Sequence, residues 1–560
     1  MFPKVNSLSF WLASNRSARL FYVLLSGLCF WLAFPPYDQV YLLFVAFVPL
    51  LLIEDDLFYS DSTTRSRKVW LWSSAAFLVF NTLATWWVKN AALVGAVAGI
   101  IANTLLMTTA FYLFHTIKKR SGERMALMGL VSLWMGMEFL NLNWDLDFPW
   151  LILGNAFANT PWLVQWYSIT GVFGGSLWVL VVNILLFQGF KHLLLRKKQT
   201  DADERKYYGL KAFRSIFRAL VLLLIPALSS LYTYQTYEQQ GEAAEVVVVQ
   251  PNYDPYGAKF NPDLYQNQLD TLLFLSDRAM SPNTKLVFWP ETSVPDYIWL
   301  RGDKTRNWQV DQIQSFLSNY EGVGIVAGAS ALQIYPENSI APDEVRTMSN
   351  GERYVSHNSA LFMQNFQPMQ IYHKSKLVIG VEKMPYPKVM GFLNFLSQDL
   401  GGMTGSLGKQ KERAVFELGG VKAAPVICYE SIFGGFTTGY IREKGANLLA
   451  VVTNDGWWGD TDGYRQHMAF ARLRAIENRR DLVRSANTGI SCFINQRGDV
   501  VSQTDWWVQT ALSGTVHLND KLSFYTKYGD YLGRSAAFLG ILLYLVAFSK
   551  SRSAKKLKAS

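Results

Sequence analysis

The sequence predicts a fold in two parts, an α-helical transmembrane bundle of eight spans and an extracytoplasmic α/β domain. Half of the 560 residues are hydrophobic and 15% are aromatic, which is too apolar for one soluble domain of this length. Apolar runs near the roughly 20 residues that cross a bilayer recur before residue 237 and return near the carboxyl end. Between them, short β-rich runs alternate with helical patterns.

The domain boundaries follow from this pattern. Residues 1–237 are predicted to form a seven-helix transmembrane region, 238–530 the extracytoplasmic domain, and 531–560 a final transmembrane helix with a basic tail. Pro35 and Pro36 end the first span, because proline lacks an amide donor and fixes φ. The predicted spans are 20–34, 40–53, 70–88, 91–114, 125–140, 163–190, 219–234 and 532–548.

The orientation of the chain is predicted by its Lys and Arg residues, which stay on the cytoplasmic side when they flank spans. They lie at the amino terminus, in the even-numbered connections and in the tail, whereas Lys89 alone lies in the short odd-numbered connections. Both termini are therefore expected in the cytoplasm and the α/β domain on the outer face. The same distribution explains the net charge of +10 by topology, so we expect no nucleic acid partner.

The α/β domain is predicted from continuous apolar runs that read as strands buried on both faces. A helical pattern at 464–478 lies between two of them, and this alternation is typical of a layered α/β fold. The predicted strands are 245–250, 285–289, 323–327, 359–363, 423–428, 447–453 and 490–495.

Three polar residues stand at or just beyond the carboxyl ends of strands, where functional groups gather in α/β sheets: Glu291, Lys374 and Cys428. A thiol near pKa 8.5 is mostly protonated at neutral pH, so a nucleophilic cysteine needs a base or a neighbouring cation. Glu291 can serve as the base, and Lys374 as the cation or as the group that stabilises an oxyanion. Taken singly, each residue also fits a structural role: a packed thiol, a turn carboxylate and a solvated amine. Cys492 is interpreted as core.

The order of several motifs resembles the nitrilase superfamily. They are residues 289–291 (Trp-Pro-Glu), 372–374 (Tyr-His-Lys) with Glu382, and 427–430 (Ile-Cys-Tyr-Glu). Residues 33–38, 148–150 and 453–459 are similar to one membrane branch of that superfamily, the apolipoprotein N-acyltransferases. The resemblance covers essentially the whole chain and implies an αββα sandwich with a Glu-Lys-Cys triad.

The resemblance also implies an activity. An acyl chain passes from a phospholipid to Cys428 as a thioester, and then to the α-amine of a diacylglyceryl-cysteine at the amino terminus of an apolipoprotein. Glu291 would be the general base and Lys374 would stabilise the tetrahedral intermediate, with Glu382, Tyr429 and Glu430 supporting the site. No metal or cofactor is implied. The expected protein is a monomer in the bacterial inner membrane with a periplasmic catalytic domain.

Two other classes of function fit parts of the sequence. A membrane-tethered amidohydrolase would use the same triad and let water finish the reaction, although eight spans favour a lipid substrate over a simple anchor. A transporter or binding scaffold is disfavoured, because the predicted spans carry few charges apart from Glu138. The glycine-rich loop 391–409 reads either as a mobile lid or as an ordinary solvent loop.

Overall fold

The computed structural model describes residues 15–60, 63–301, 307–386 and 406–559. The chain divides into two compact units. The helical unit comprises Met1–Trp86, Ala96–Gln235 and Asp530–Ser560, and the α/β unit comprises Trp87–Gly95 and Thr236–Gly529. The segment Trp87–Gly95, which joins two apolar helices and includes their ends, thus belongs to the α/β unit. Most of the predicted loop 391–409 lies outside the described residues.

The helical unit confirms a bundle of apolar helices. Within the described residues, seven helices are long and apolar enough to cross a membrane, and one of them, Arg65–Asn90, includes a terminal 3-10 turn. The main helices of this unit are Arg16–Ala33, Val48–Tyr59, Arg65–Thr85, Leu93–Ser121, Glu123–Asn143, Val172–Lys198, Ala202–Thr236 and Tyr531–Ala559.

The second predicted span, 40–53, is a broken segment instead of one helix. A 3-10 helix at Val40–Phe44 is followed by an α-helix at Val48–Tyr59, whose 12 residues are too short to span a bilayer alone. The two pieces together reach about 28 Å at their ordinary rises per residue, close to the thickness of the hydrocarbon core. The span count of eight therefore stays a prediction.

Buried charges lie just beyond the ends of the predicted spans. Lys118 Nζ is 2.6 Å from Glu54 Oε2 and 2.9 Å from Asp55 Oδ1, and Lys191 Nζ is 2.8 Å from the same oxygen of Asp55. His115 Nδ1 lies 2.6 Å from Glu54 Oε1. Each of these residues follows the last residue of a predicted span by one to four positions. Opposite charges are thus paired where the helices continue past their apolar runs.

The α/β unit contains two sheets in the described residues. All seven predicted strands are present, with shifted ends. The eight-stranded sheet contains β1 (Glu242–Gln250), β2 (Thr284–Phe288), β3 (Val294–Leu300), β4 (Gly324–Tyr335), β5 (Arg346–Thr347), β6 (Arg353–Gln364), β7 (Gln370–His373) and β14 (Thr510–Leu518). The six-stranded sheet contains β8 (Phe416–Leu418), β9 (Val421–Ile427), β10 (Leu448–Thr453), β11 (Asp481–Ala486), β12 (Cys492–Ile494) and β13 (Val500–Gln503).

Parallel pairing places several strand ends at one edge of each sheet. In the first sheet β1, β2 and β4 are parallel neighbours, and in the second sheet β9, β10 and β11 are parallel neighbours. β6 is antiparallel to β4, and β7 is antiparallel to β6, so β7 runs in the direction of β2. The loops that follow β2, β7, β9 and β10 therefore start from carboxyl ends, which is where the polar residues named above were predicted to gather.

Helices cover the two sheets and complete the four-layer sandwich. Tyr265–Ala279 and Trp308–Leu317 pack their apolar faces on the first sheet, through residues such as Leu272 and Ile313. The helices Gly434–Arg442 and Asp462–Asn478 pack against the second sheet. Between the sheets, the hydroxyl of Ser485 on β11 lies 2.8 Å from the Val249 carbonyl of β1. This arrangement confirms the predicted αββα fold.

Candidate active site

Glu291, Lys374 and Cys428 each follow a strand. Glu291 lies three residues after β2, Lys374 directly after β7, and Cys428 directly after β9. Two of these strands belong to the first sheet and one to the second. The three residues therefore come together from both sheets of the sandwich, on a base of paired strands.

Cys428 has an unusual backbone conformation. Its φ is +48°, in the left-handed region that favours glycine, and it begins the 3-10 helix Cys428–Ile432. A non-glycine residue in this region costs about 1–3 kcal/mol, which the surrounding structure must offset. The side chain is buried and the residue is 8% exposed. The sharp turn from strand to helix presents the thiol at the strand end.

Lys374 lies between two carboxylates. Its Nζ is 3.2 Å from Glu291 Oε1 and 2.9 Å from Glu382 Oε1, and the side chain is 1% exposed. Burial alone would lower the pKa of Lys374, but the two carboxylates outweigh it and raise this pKa above its ordinary value. Lys374 is therefore a permanent cation beside Cys428, whose thiolate it would also attract.

The environment of Cys428 keeps its thiol protonated. Burial raises the pKa of this thiol well above its usual range, and the negative charge of Glu291 raises it further. Lys374 acts in the opposite direction, and so does a hydrogen bond with Thr453. Because the thiolate is not the resting form, a base would have to take the proton for this sulfur to act as a nucleophile.

Asn358, in β6, is a site residue that the sequence analysis missed. Its Nδ2 donates to Glu291 Oε1 at 2.7 Å and to Glu382 Oε1 at 2.8 Å. Its main-chain carbonyl accepts the main-chain N–H of Lys374 at 2.8 Å. The polar triplet His357, Asn358 and Ser359 inside a buried strand was the signal available in the sequence.

Glu382 is fixed by the loop that follows Lys374. Its Oε2 accepts the main-chain N–H of Val378 at 2.8 Å, while Oε1 faces Lys374 and Asn358. The eight-residue step from Lys374 to Glu382 brings this carboxylate back into contact with the lysine. Tyr429, next to the thiol, is buried and packs edge-to-face on Phe433 at 5.1 Å between ring centroids.

Glu430 lies fully buried between the cysteine strand and the lysine loop. Burial raises the pKa of its carboxyl, and hydrogen bonds from main-chain amides act against that rise. Its carboxylate therefore joins the end of β9 to the segment after β7. The donors to Glu430 are the N–H groups of Ile427 (2.9 Å), Ser375 (2.6 Å) and Lys376 (3.3 Å) and the hydroxyls of Tyr372 (2.7 Å) and Tyr440 (3.1 Å).

Lys259 is a second buried lysine that the sequence analysis did not single out. Its Nζ donates to the main-chain carbonyl of Glu291 at 2.9 Å, and the residue is 3% exposed. Burial lowers the pKa of Lys259 to about 7, although the Glu291 carboxylate acts in the opposite direction. Lys259 thus supports the turn that carries Glu291. No group of three or more His, Cys, Asp or Glu residues in the described ranges is placed to hold a metal ion.

Two family models and several curated proteins match this chain. The family model of the apolipoprotein N-acyltransferase N-terminal domain matches residues 26–185, and that of carbon-nitrogen hydrolases matches residues 245–521. The apolipoprotein N-acyltransferase of Chlorobaculum tepidum is 32% identical over 552 residues, covering 96% of this chain and 98% of the relative. The chain belongs to the apolipoprotein N-acyltransferase family.

Other relatives extend over similar lengths. The apolipoprotein N-acyltransferase of Geobacter metallireducens is 27% identical, with 94% of each chain covered. Among solved structures, an amidase of the nitrilase superfamily from Nesterenkonia matches 54% of this chain and 99% of its own, at 14% identity and a TM-score of 0.35. The predicted family resemblance is confirmed, and the chain is a multi-pass membrane protein of a bacterial type.

Proposed function

We propose that this protein transfers an acyl chain from a phospholipid to the α-amino group of the diacylglyceryl-cysteine at the amino terminus of an apolipoprotein. The observation that carries the proposal is Lys374, which lies between Glu291 and Glu382 and interacts electrostatically with Cys428. This arrangement supplies a base, a cation and a nucleophile in one buried site of a membrane protein.

The first half of the reaction forms the acyl-enzyme. Glu291 takes the proton of the Cys428 thiol, and the sulfur attacks the ester carbonyl of the phospholipid. The negative charge that develops on the carbonyl oxygen is stabilised by Lys374, whose ammonium needs no proton transfer to act. When the C–O bond breaks, the leaving alkoxide receives the proton from Glu291 and departs as a lysophospholipid. A thioester remains on Cys428.

The second half regenerates the enzyme. The neutral α-amine of the lipidated cysteine attacks the thioester carbonyl and gives up a proton to Glu291. The C–S bond breaks, an amide is formed, and the sulfur recovers the proton from Glu291. Both halves of the reaction use Glu291, Lys374 and Cys428 in the same positions. All three residues belong to one chain. We accordingly propose a monomer that needs no cofactor.

Hydrolysis of an amide or nitrile is the alternative that the same three residues support. The two reactions share the thioester and differ in the acceptor, which is water in the one case and an amine in the other. Membership of the acyltransferase family and the apolar helices of this chain favour the amine. The catalytic domain is proposed to face the periplasm, where the acceptor amine is exposed.

The test uses the purified full-length protein in phospholipid micelles with a synthetic diacylglyceryl lipopeptide. Mass spectrometry of the lipopeptide should show one added acyl chain on its amino terminus, with an equal amount of lysophospholipid. A hydrolase would release free fatty acid and leave the lipopeptide mass unchanged. Release of fatty acid without any acylated peptide would therefore contradict the proposal.

A further inference from the structure

A second polar network lies around Cys428 and is formed by residues of the second sheet, the 3-10 turn and one helix. Thr453 ends β10 and Asp455 follows it, His467 lies on the helix Asp462–Asn478, Ser431 lies in the 3-10 turn, and Arg484 lies in β11. Each of these side chains is buried, with at most 1% of the residue exposed. Polar groups at this depth require partners, and here they partner one another.

Asp455 is the centre of the network. Its Oδ1 accepts a hydrogen bond from Thr453 Oγ1 at 3.0 Å and lies 3.0 Å from His467 Nδ1, while Oδ2 is 2.5 Å from the guanidinium of Arg484. Burial alone would raise the pKa of Asp455, but Arg484 and His467 outweigh it and hold this pKa below its ordinary value. Asp455 is therefore an anion with partners on both oxygens.

Two chains of hydrogen bonds lead from Asp455 to Cys428. One passes through the hydroxyl of Thr453. Val452 of β10 pairs with Ile427 of β9, so Thr453 and Cys428 are neighbours at the carboxyl ends of two paired strands, and the hydroxyl favours the thiolate of Cys428. The other passes through His467, whose Nε2 lies 2.9 Å from Ser431 Oγ and 3.2 Å from the carbonyl oxygen of Cys428. Ser431 Oγ donates to the same carbonyl at 2.7 Å. The side chain and the main chain of Cys428 are thus joined to one buried carboxylate.

We propose that Thr453, Asp455 and His467 are positioning residues for Cys428, and the proposal rests on Cys428 being the nucleophile proposed above. The His467 chain holds the carbonyl of a residue whose φ is +48°, a conformation that needs support. The Thr453 chain fixes the direction of the sulfur. These residues act through Cys428, and none of them exchanges a proton in the reaction.

The single hydrogen of the Thr453 hydroxyl gives this network a specific role in forming the thiolate. While Cys428 carries its proton, the S–H donates to Thr453 Oγ1 and the Thr453 hydrogen goes to Asp455. When Glu291 removes the thiol proton, the Thr453 hydrogen turns to the sulfur. Asp455 keeps His467 and Arg484 as partners, so no buried charge is left without a donor.

The test compares isosteric variants of the full-length protein in phospholipid micelles. Thr453→Val removes the hydroxyl and keeps the shape, and it should slow formation of the acyl-enzyme by about 10-fold or more, because a hydrogen bond to a charged group is lost. The KM for phospholipid should not change. Thr453→Ser should recover a rate within about 3-fold of the wild type. Thr437→Val is the matched control, a buried threonine whose hydroxyl donates to Gly434 instead.

A second arm separates this proposal from the proposed function. Alkylation of Cys428 by iodoacetamide needs no lipid, and its pH midpoint should move upward in Thr453→Val. His467→Gln, measured in the same way, should also slow acyl-enzyme formation. A wild-type protein that never carries an acyl group would refute the acyl-enzyme. The alkylation midpoints would still test whether Thr453 and His467 position Cys428. Wild-type rates and midpoints in Thr453→Val and His467→Gln would overturn the inference.

Discussion

At the scale of single residues, Cys428 lies in surroundings that oppose its ionisation. Burial and the charge of Glu291 raise the pKa of the thiol, whereas Lys374 and the Thr453 hydroxyl lower it. The same carboxylate therefore disfavours a resting thiolate and is proposed to accept the proton during the reaction. Such a thiol is mostly protonated at neutral pH, so it reacts slowly with alkylating reagents and oxidants.

Glu291→Gln should separate these two effects. Acyl-enzyme formation should fall by about 100-fold or more, because the general base is lost. The pH midpoint for alkylation of Cys428 should at the same time move downward, since removal of a nearby negative charge lowers the pKa of the thiol. Both quantities can be followed by mass spectrometry of the peptide that contains Cys428.

Glu417→Gln, at an exposed position on β8, is the control for this experiment and should change neither quantity. An upward movement of the alkylation midpoint in Glu291→Gln would show that the carboxylate does not face the thiol as described.

Asn358→Leu should test the link between the two carboxylates. This substitution keeps the size of the side chain and removes the donor that Glu291 and Glu382 share. We expect kcat to fall by about 10- to 100-fold with KM unchanged, the equivalent of one hydrogen bond to charged groups. Asn319→Leu, at an exposed position, is the control. An unchanged kcat would mean that Lys374 alone holds the carboxylates.

At the scale of secondary-structure elements, Glu430 joins the end of β9 to the loop that carries Lys374. The two elements belong to different sheets, so this carboxylate fixes the cysteine and the lysine relative to each other. The sequence shows only an acidic residue two positions after the cysteine. Its partners lie 54 to 58 residues away in the sequence, except for Ile427 and Tyr440.

Glu430→Ala should destabilise the α/β unit. The substitution leaves buried N–H and hydroxyl groups without an acceptor, and each costs roughly 1–3 kcal/mol. We expect a loss of at least about 3 kcal/mol, measured as a lower midpoint of unfolding in detergent by tryptophan fluorescence. Glu417→Ala, on the exposed edge of β8, should leave the midpoint unchanged. If Glu430→Ala unfolds at the same midpoint as the wild type, Glu430 does not stabilise the contact between β9 and the loop that carries Lys374.

The elements that the sequence predicts well are those with one clear apolar pattern. Strands β1, β2, β9 and β10 are continuous apolar runs, and their carboxyl ends led directly to Glu291 and Cys428. Strand β11 was missed, because it contains Asp481, Arg484 and Ser485, which are satisfied by partners from distant parts of the chain. The pattern of neighbouring residues in a sequence predicts a buried strand only where the side chains are apolar.

Part of the candidate site could not be predicted because it depends on strand register. Ser359 of β6 pairs with His373 of β7, which brings Asn358 beside Lys374. The role of Lys259 depends on a turn 32 residues away. Neither contact can be predicted from composition or from the spacing of residues. Asn358 and Lys259 can therefore be assigned to the site only once the fold is known. The family resemblance located the residues of the motifs but not the residues that hold them.

At the scale of the whole molecule, the number of membrane crossings decides which face carries the active site. The broken segment at Val40–Phe44 and Val48–Tyr59 is the crossing that decides this number. Arg65, Arg67 and Lys68 follow it, and positive residues after a span favour the cytoplasmic side. Since the amino terminus is also basic, the chain is proposed to cross and return before residue 65, which gives eight crossings.

Cysteine labelling of intact cells tests this topology. Asn338→Cys, at an exposed position of the α/β unit, should react with an impermeant maleimide added from outside. Thr63→Cys, at an exposed position after the broken segment, should react only after permeabilisation. The native Cys29, Cys428 and Cys492 are buried and should add little background. Outside labelling of Thr63→Cys would reduce the crossings before the α/β unit by one.

The most direct test of the central claim is the mass of the protein after incubation with phospholipid in the absence of an acceptor. The wild type should gain one acyl group, bound to Cys428 and released by hydroxylamine, which cleaves thioesters. Cys492→Ala should gain the same mass, and Cys428→Ala should gain none. An acyl adduct that persists in Cys428→Ala, or a wild type that is never acylated while the lipopeptide acceptor is, would contradict the proposed thioester.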